Sequence, residues 1–123
     1  MENITLINKA VSDKSGKIPF SVAGGRNSRV GGESEILSTS IDDLNEDFTF
    51  IKFDVEGQEL SAINGAVNTI KKQPKMLISA YHRSEDIFAL PLQINAITPD
   101  YKLYLRRYPY VPAWDIELIC VVK

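Results

Sequence analysis

The chain has 123 residues, is 44% apolar and carries a formal net charge of −2, which suits a single soluble domain spanning 1–123 with a core of its own. The charge balance and the lack of any basic run longer than Lys71-Lys72 or Arg106-Arg107 argue against a nucleic-acid surface. No apolar stretch is long enough to cross a bilayer and the N-terminus has no signal-peptide pattern, so the expectation is a cytoplasmic protein with no membrane contact.

Ile4 to Lys9 alternates in a way that predicts a strand with both faces partly buried. Ser12-Asp13-Lys14-Ser15-Gly16 is dense in turn formers and ends it. Ile18, Phe20 and Val22 alternate with other residues in a half-buried strand, which Pro19 puts at an edge or makes irregular at its start. Gly24 to Gly32 reads as a hairpin loop rather than a phosphate cradle, because another strand and not a helix follows it. Arg26 and Arg29 in that loop read as solvated. Ile36 to Ser40 should pair antiparallel with Lys17 to Val22. Ser40-Ile41-Asp42-Asp43 then has the pattern of a helix start, with Ser40 as cap and acids in the first turn. Asp42 and Asp43 are therefore secondary site candidates only.

Phe48 to Phe53 is a short apolar run that ends in Asp54-Val55-Glu56-Gly57-Gln58-Glu59 and passes into a helical pattern. This predicts a buried parallel strand feeding a helix, with Asp54 and Glu56 at its carboxyl end. Ligands bind in the crevice outside such strand ends in open α/β sheets. Lys52 inside the strand needs an acidic partner or the sheet edge. Leu60, Ile63, Val67 and Ile70 predict one helix that runs to Lys71-Lys72 and is stopped by Pro74. Met76 to Tyr81 is a second short buried strand ending in Tyr81, His82 and Arg83. Strand, helix and strand at this spacing make a right-handed βαβ unit, which places Asp54 and His82 at one edge of the sheet. Ser84 should cap a further helix with buried Ile87, Leu90, Ile94 and Ile97, which Pro91 either kinks or begins. Tyr101 to Tyr108 and Ile116 to Val122 form an antiparallel pair joined through Pro109 and Pro112. Cys120, the only cysteine, lies in the last of these strands, excludes an internal disulfide and reads as a buried thiol.

Asp54 fits either a helix cap or a site role, and Glu56 either a site role or a partner of the helix dipole. Glu59 is read as dipole-complementing. His82, the only histidine, has an ordinary pKa near 6.5 and is read as a proton acceptor beside Asp54. Tyr108, Tyr110 and Trp114 fit either a core or an acceptor pocket. Asp54, Glu56 and His82 are also a metal set by residue type, but without helix-spaced ligands no metal is assigned.

The motif Asp54-Val55-Glu56-Gly57-x-Glu59 after Ile51-Lys52-Phe53 resembles the signature of the FkbM family of S-adenosylmethionine-dependent methyltransferases. Asn8-Lys9-Ala10-Val11-Ser12-Asp13 with Gly16, Ser40 to Leu44, Tyr81-His82-Arg83 with Glu85-Asp86 and Leu90-Pro91, and Tyr101 to Tyr104 resemble other segments of the family in the same order. The resemblance implies an α/β, partial Rossmann-like class I methyltransferase fold with parallel central strands and a C-terminal antiparallel strand pair. It implies Asp54 and His82 as catalytic, Ala10, Val11, Asp54 and Glu56 as cofactor-binding, and Tyr81 and Arg83 as substrate-binding. It further implies S-adenosyl-L-methionine as cofactor and a small-molecule hydroxyl, on a sugar or secondary metabolite, as acceptor. The family's glycine-rich turn and the acid that holds the ribose are not in the chain, so two βα units of roughly 60 residues are expected upstream of Met1. With those units missing, the Ile4–Lys9 strand is expected to pair with the central strand, or the open edges to be covered in a homodimer. A partner-binding remnant and a metal-dependent hydrolase built on Asp54, Glu56 and His82 remain as the other classes of function.

Overall fold

The computed structural model describes residues 3–21, 29–30, 34–109 and 115–123, with only the backbone of 29–30. Most of the expected glycine loop, with Arg26, lies outside the described residues, as do Tyr110, Pro112 and Trp114 and the side chain of Arg29. Two sheets form. The first has β1 (Ala10–Val11), β4 (Ser34–Thr39), β2 (Gly16–Ser21) and β3 (Arg29–Val30) in that order. β2 and β4 pair antiparallel through Ile18 and Ile36, and β1 lies parallel to β4. The second has β5 (Phe50–Phe53), β6 (Lys75–Ser79), β8 (Ile116–Val122) and β7 (Tyr101–Arg107) in that order. β5 and β6 are parallel neighbours, and β8 runs antiparallel to both β6 and β7.

The period of two along these strands sorts the second sheet into unlike faces. Phe53, Met76, Ile78, Leu118 and Cys120 are buried and register with one another on one face. They meet Ala62, Ile63, Ala66 and Ile70 from α1 (Glu59–Asn64) and α2 (Val67–Lys71), and Leu90 and Ile94 from α3 (Asp86–Ile97). Each large aliphatic side chain buried here contributes about 1.5–3 kcal/mol. The opposite face carries Phe50, Lys52, Leu77, Ile119 and Tyr104. It stays partly open, with Phe50 at 56% and Tyr104 at 52% exposure.

Four expectations need correction. The Pro19 strand, β2, is not at an edge: it lies between β4 and β3, with β3 paired only to Phe20 and Ser21 beyond the proline. Ile4 to Lys9 is not a strand. Its residues are exposed, with Leu6 at 92%, and neither it nor β1 pairs with β5. Alternation alone marked it, but no described strand lies alongside to take its hydrogen bonds. The helix after Glu59 is two helices, because Gly65 comes against Ser12 and turns its carbonyl out to the Asp42 N–H, 2.9 Å away. Ser84 does not cap α3, whose N-cap is Glu85, and Pro91 lies inside the helix rather than at its start. Among the described residues, no helix is long and apolar enough to cross a membrane.

Candidate active site at the carboxyl ends of the parallel strands

β5 and β6 end side by side, so the segments that follow them meet. After β5 the chain turns through Glu56 and Gly57, both at positive φ (52° and 92°), a conformation open to glycine and costly for glutamate. Gly57 also lies under the Arg83 side chain, whose Nε donates to the Gly57 carbonyl at 2.7 Å. This turn aims the Asp54 and Glu56 carboxylates at the residue that follows β6 and Tyr81. His82 Nε2 lies 3.8 Å from Asp54 Oδ1 and 3.6 Å from Glu56 Oε2.

The other ring nitrogen is held from below. His82 Nδ1 meets Glu59 Oε1 at 2.7 Å, and the same oxygen accepts the Val55 N–H at 3.0 Å. Glu59 is fully buried and its Oε2 has no hydrogen-bond partner among the described residues. Glu59 is therefore no surface complement to the dipole. It bridges the backbone after β5 to the imidazole after β6. A carboxylate accepts, so the Nδ1–H of His82 donates to Glu59, and Nε2 is the ring atom that faces Asp54 and Glu56. The His82 side chain is only 10% exposed, and Nε2 makes no hydrogen bond among the described residues.

The surroundings are acidic. Glu117, on β8, has a buried Oε2 without a hydrogen-bond partner among the described residues, and burial raises its pKa, helped by Asp54 and Asp115 against Lys52 and His82. The Tyr81 phenol is pushed up by burial and then by Asp54, Asp115, Glu56 and Glu117, and its ring packs against His82 with centroids 4.3 Å apart. Lys52 Nζ lies 3.5 Å from Asp54 Oδ2, the acidic partner that a lysine in an apolar strand requires. Asp54 does not cap α1, whose N-cap is Gln58 with no side-chain hydrogen bond. Beside the turn is an open groove of about 260 Å³, lined by Gly57, Gln58, Ser61, Arg83 and Asp86 among others.

Other named residues lie apart. Ala10 and Val11 are half-buried in β1, Val11 packs against the core, and no hydrogen bond or ion pair among the described residues joins either to Asp54, Glu56 or His82. Asp42 and Asp43 serve structure. The Asp42 carboxylate accepts the Asn68 and Thr69 N–H groups and the Thr69 hydroxyl at 2.7–2.9 Å, and Asp43 N–H donates to Ser40 Oγ at 3.2 Å. Burial raises the Cys120 thiol to about 12, so it stays protonated. Glu117 was not singled out from sequence; a carboxylate inside the apolar run Ile116-Glu117-Leu118 was the signal available.

The model of the FkbM methyltransferase domain matches residues 3–111. A comparison with curated proteins finds no match. Among solved structures, the chain is similar to methyltransferase FkbM from Methylobacillus flagellatus KT, with 35% identity, a TM-score of 0.77 and 94% of this chain covered. The match spans 28% of the length of that protein. A signature turn, a strand order and a domain match that agree over most of the sequence lead to one conclusion: the chain belongs to the FkbM methyltransferase family.

Proposed function

We propose that this chain carries the acceptor side of an S-adenosylmethionine-dependent methyltransferase that methylates a hydroxyl oxygen on a small molecule, a sugar or secondary metabolite. The observation that carries this is His82, with Nδ1 fixed by buried Glu59 and Nε2 turned to the strand ends beside Asp54. Methyl transfer asks the protein for alignment and for a place to put the hydroxyl proton. Asp54 and His82 Nε2 flank that place. Tyr81 and Arg83 stand at its border, and Arg83 lines the adjoining groove.

S-adenosylmethionine, when bound, supplies an electrophilic methyl group on a sulfonium. The exposed carboxylates of Asp54 and Glu56 suit the cationic part of such a molecule, which fits the cofactor role assigned to them. Ala10 and Val11 would contribute backbone contacts to it. With such a donor bound, Asp54 and His82 would hold the acceptor hydroxyl in line with the methyl group and take its proton.

Calorimetric titration with S-adenosylhomocysteine, sensitive to millimolar binding, tests the reading. Binding that weakens in Asp54→Ala and His82→Ala supports it. A folded chain that binds nothing, or whose binding ignores both substitutions, overturns the role given to this edge.

A further inference from the structure

We propose that Asp54, Glu56 and His82 form a binding site for one divalent first-row cation, with Glu59 as the residue that orients the histidine ligand. One ligand atom from each of the three lies within 4.8 Å of the other two. Nitrogen and oxygen ligands bound at about 2.0–2.2 Å stand roughly 3–3.4 Å apart around one ion, so the set closes on an ion with a small rotation of two carboxylates. Both carboxylates are free to make it, at 40% and 69% side-chain exposure.

The cluster is more than a collection of acids. The imidazole is nine-tenths buried, is held through Nδ1 and has an Nε2 with no hydrogen bond among the described residues. Nε2 faces Asp54 Oδ1 across 3.8 Å and Glu56 Oε2 across 3.6 Å, a gap that one ion bound to all three atoms would fill. Carboxylate on Nδ1 and metal on Nε2 is the recurring way that proteins fix a histidine ligand's tautomer and raise its basicity. Glu59 supplies the carboxylate, and its burial keeps water from competing. One imidazole with two carboxylates, and room for further ligands on the exposed side, suits Mn²⁺ or Zn²⁺ better than Mg²⁺ or Ca²⁺, which favour all-oxygen shells.

The site stands on this geometry alone; its use rests on the methyltransferase reading. An acceptor hydroxyl in an open coordination position would lose its proton more readily through the ion's Lewis acidity. With Nε2 bound to the cation, the hydroxyl proton would leave to solvent on the exposed side of the site.

The test is titration of the metal-stripped 123-residue chain with Mn²⁺, followed by calorimetry and by paramagnetic broadening of backbone amide NMR signals. One ion per chain is expected, with broadening centred on residues 54–59 and 81–83. Asp54→Asn and Glu56→Gln change exposed groups, so their folded state is checked by circular dichroism, and each should weaken binding at least ~10-fold. Glu59→Gln, which touches no ion, should weaken it about 10–100-fold. Broadening elsewhere, or affinity unchanged in Asp54→Asn and Glu56→Gln, overturns the site. So does a His82 ring that NMR shows doubly protonated at neutral pH in the presence of saturating Mn²⁺. Loss of S-adenosylhomocysteine binding with Mn²⁺ binding intact would count against the methyltransferase reading and leave the cation site standing. The reverse result would remove the cation site alone.

Discussion

Glu59 shows how a single residue changes meaning once its neighbours are known. In the chain it follows a glycine turn and opens a helix, where an acid needs no explanation beyond the dipole. In the fold it is fully buried and holds both the Val55 N–H and His82 Nδ1. Glu59→Ala should leave two buried donors without partners and cost about 2–4 kcal/mol, measured by urea denaturation. Glu59→Gln, with its amide oxygen in the place of Oε1, keeps an acceptor for both and should cost less. If the two variants were equally mild, the carboxylate would not be the tie between β5 and β6. Glu56 is the opposite case. Its positive φ is a cost in stability, and Glu56→Gly should leave the protein as stable or up to about 1 kcal/mol more stable. The same change should abolish any function of the carboxylate, a trade commonly met at sites.

At the scale of the element, the break between α1 and α2 is held from two sides. A Cβ on Gly65 would sit 2.2 Å from the Ser12 carbonyl oxygen. Gly65→Ala should therefore destabilise by about 2–3 kcal/mol on thermal unfolding, even though alanine is the better helix former by about 1 kcal/mol. The other side is Asp42, a side chain from a distant turn that caps α2. Burial works to raise its pKa, but the hydrogen bonds from Asn68 and Thr69 outweigh it, and the folded value lies below the ordinary one. A carboxylate lowered in this way stabilises the fold above its unfolded pKa of about 3.9, and the contribution is lost as pH falls through the folded value. Asp42→Ala should thus cost about 1 kcal/mol at pH 7, and denaturation curves of variant and parent should converge on acidification below about pH 3.9. Glu117 and Asp86 act in the other sense. Burial raises both, so what they contribute is present at low pH and declines as pH rises through their folded values.

For the whole molecule, the second sheet is the feature with consequences. Its helices cover one face, the other face exposes Phe50 and Tyr104, and the outer edge of β5 has no strand beside it among the described residues. Unpaired edges and open apolar faces recruit further chains. The 123-residue chain should accordingly self-associate through this edge, and sedimentation velocity should show a dimer that Phe50→Lys weakens. A monomer at all concentrations would argue that the edge is well solvated as it stands.

Much of this architecture was legible locally. Apolar periods of two and of 3.6, punctuated by Gly, Pro and capping residues, mark β2, β4 to β8 and α3, and the short strand–helix–strand spacing implies the parallel β5–β6 pair. That pair alone brings Asp54 and His82 to one edge, so the two were visible as neighbours before any contact was known. The limits were non-local. Ile4 to Lys9 has a strand's pattern, but a strand exists only where a neighbour takes its hydrogen bonds. The continuous helix expected through Gly65 gives way because Ser12 and Asp42, far away in sequence, compete for that backbone. Glu59, Glu117 and the Nε2 of His82 became meaningful only when burial and distance were set, since the cost of a charge depends on the dielectric and partners around it and not on its place in the chain.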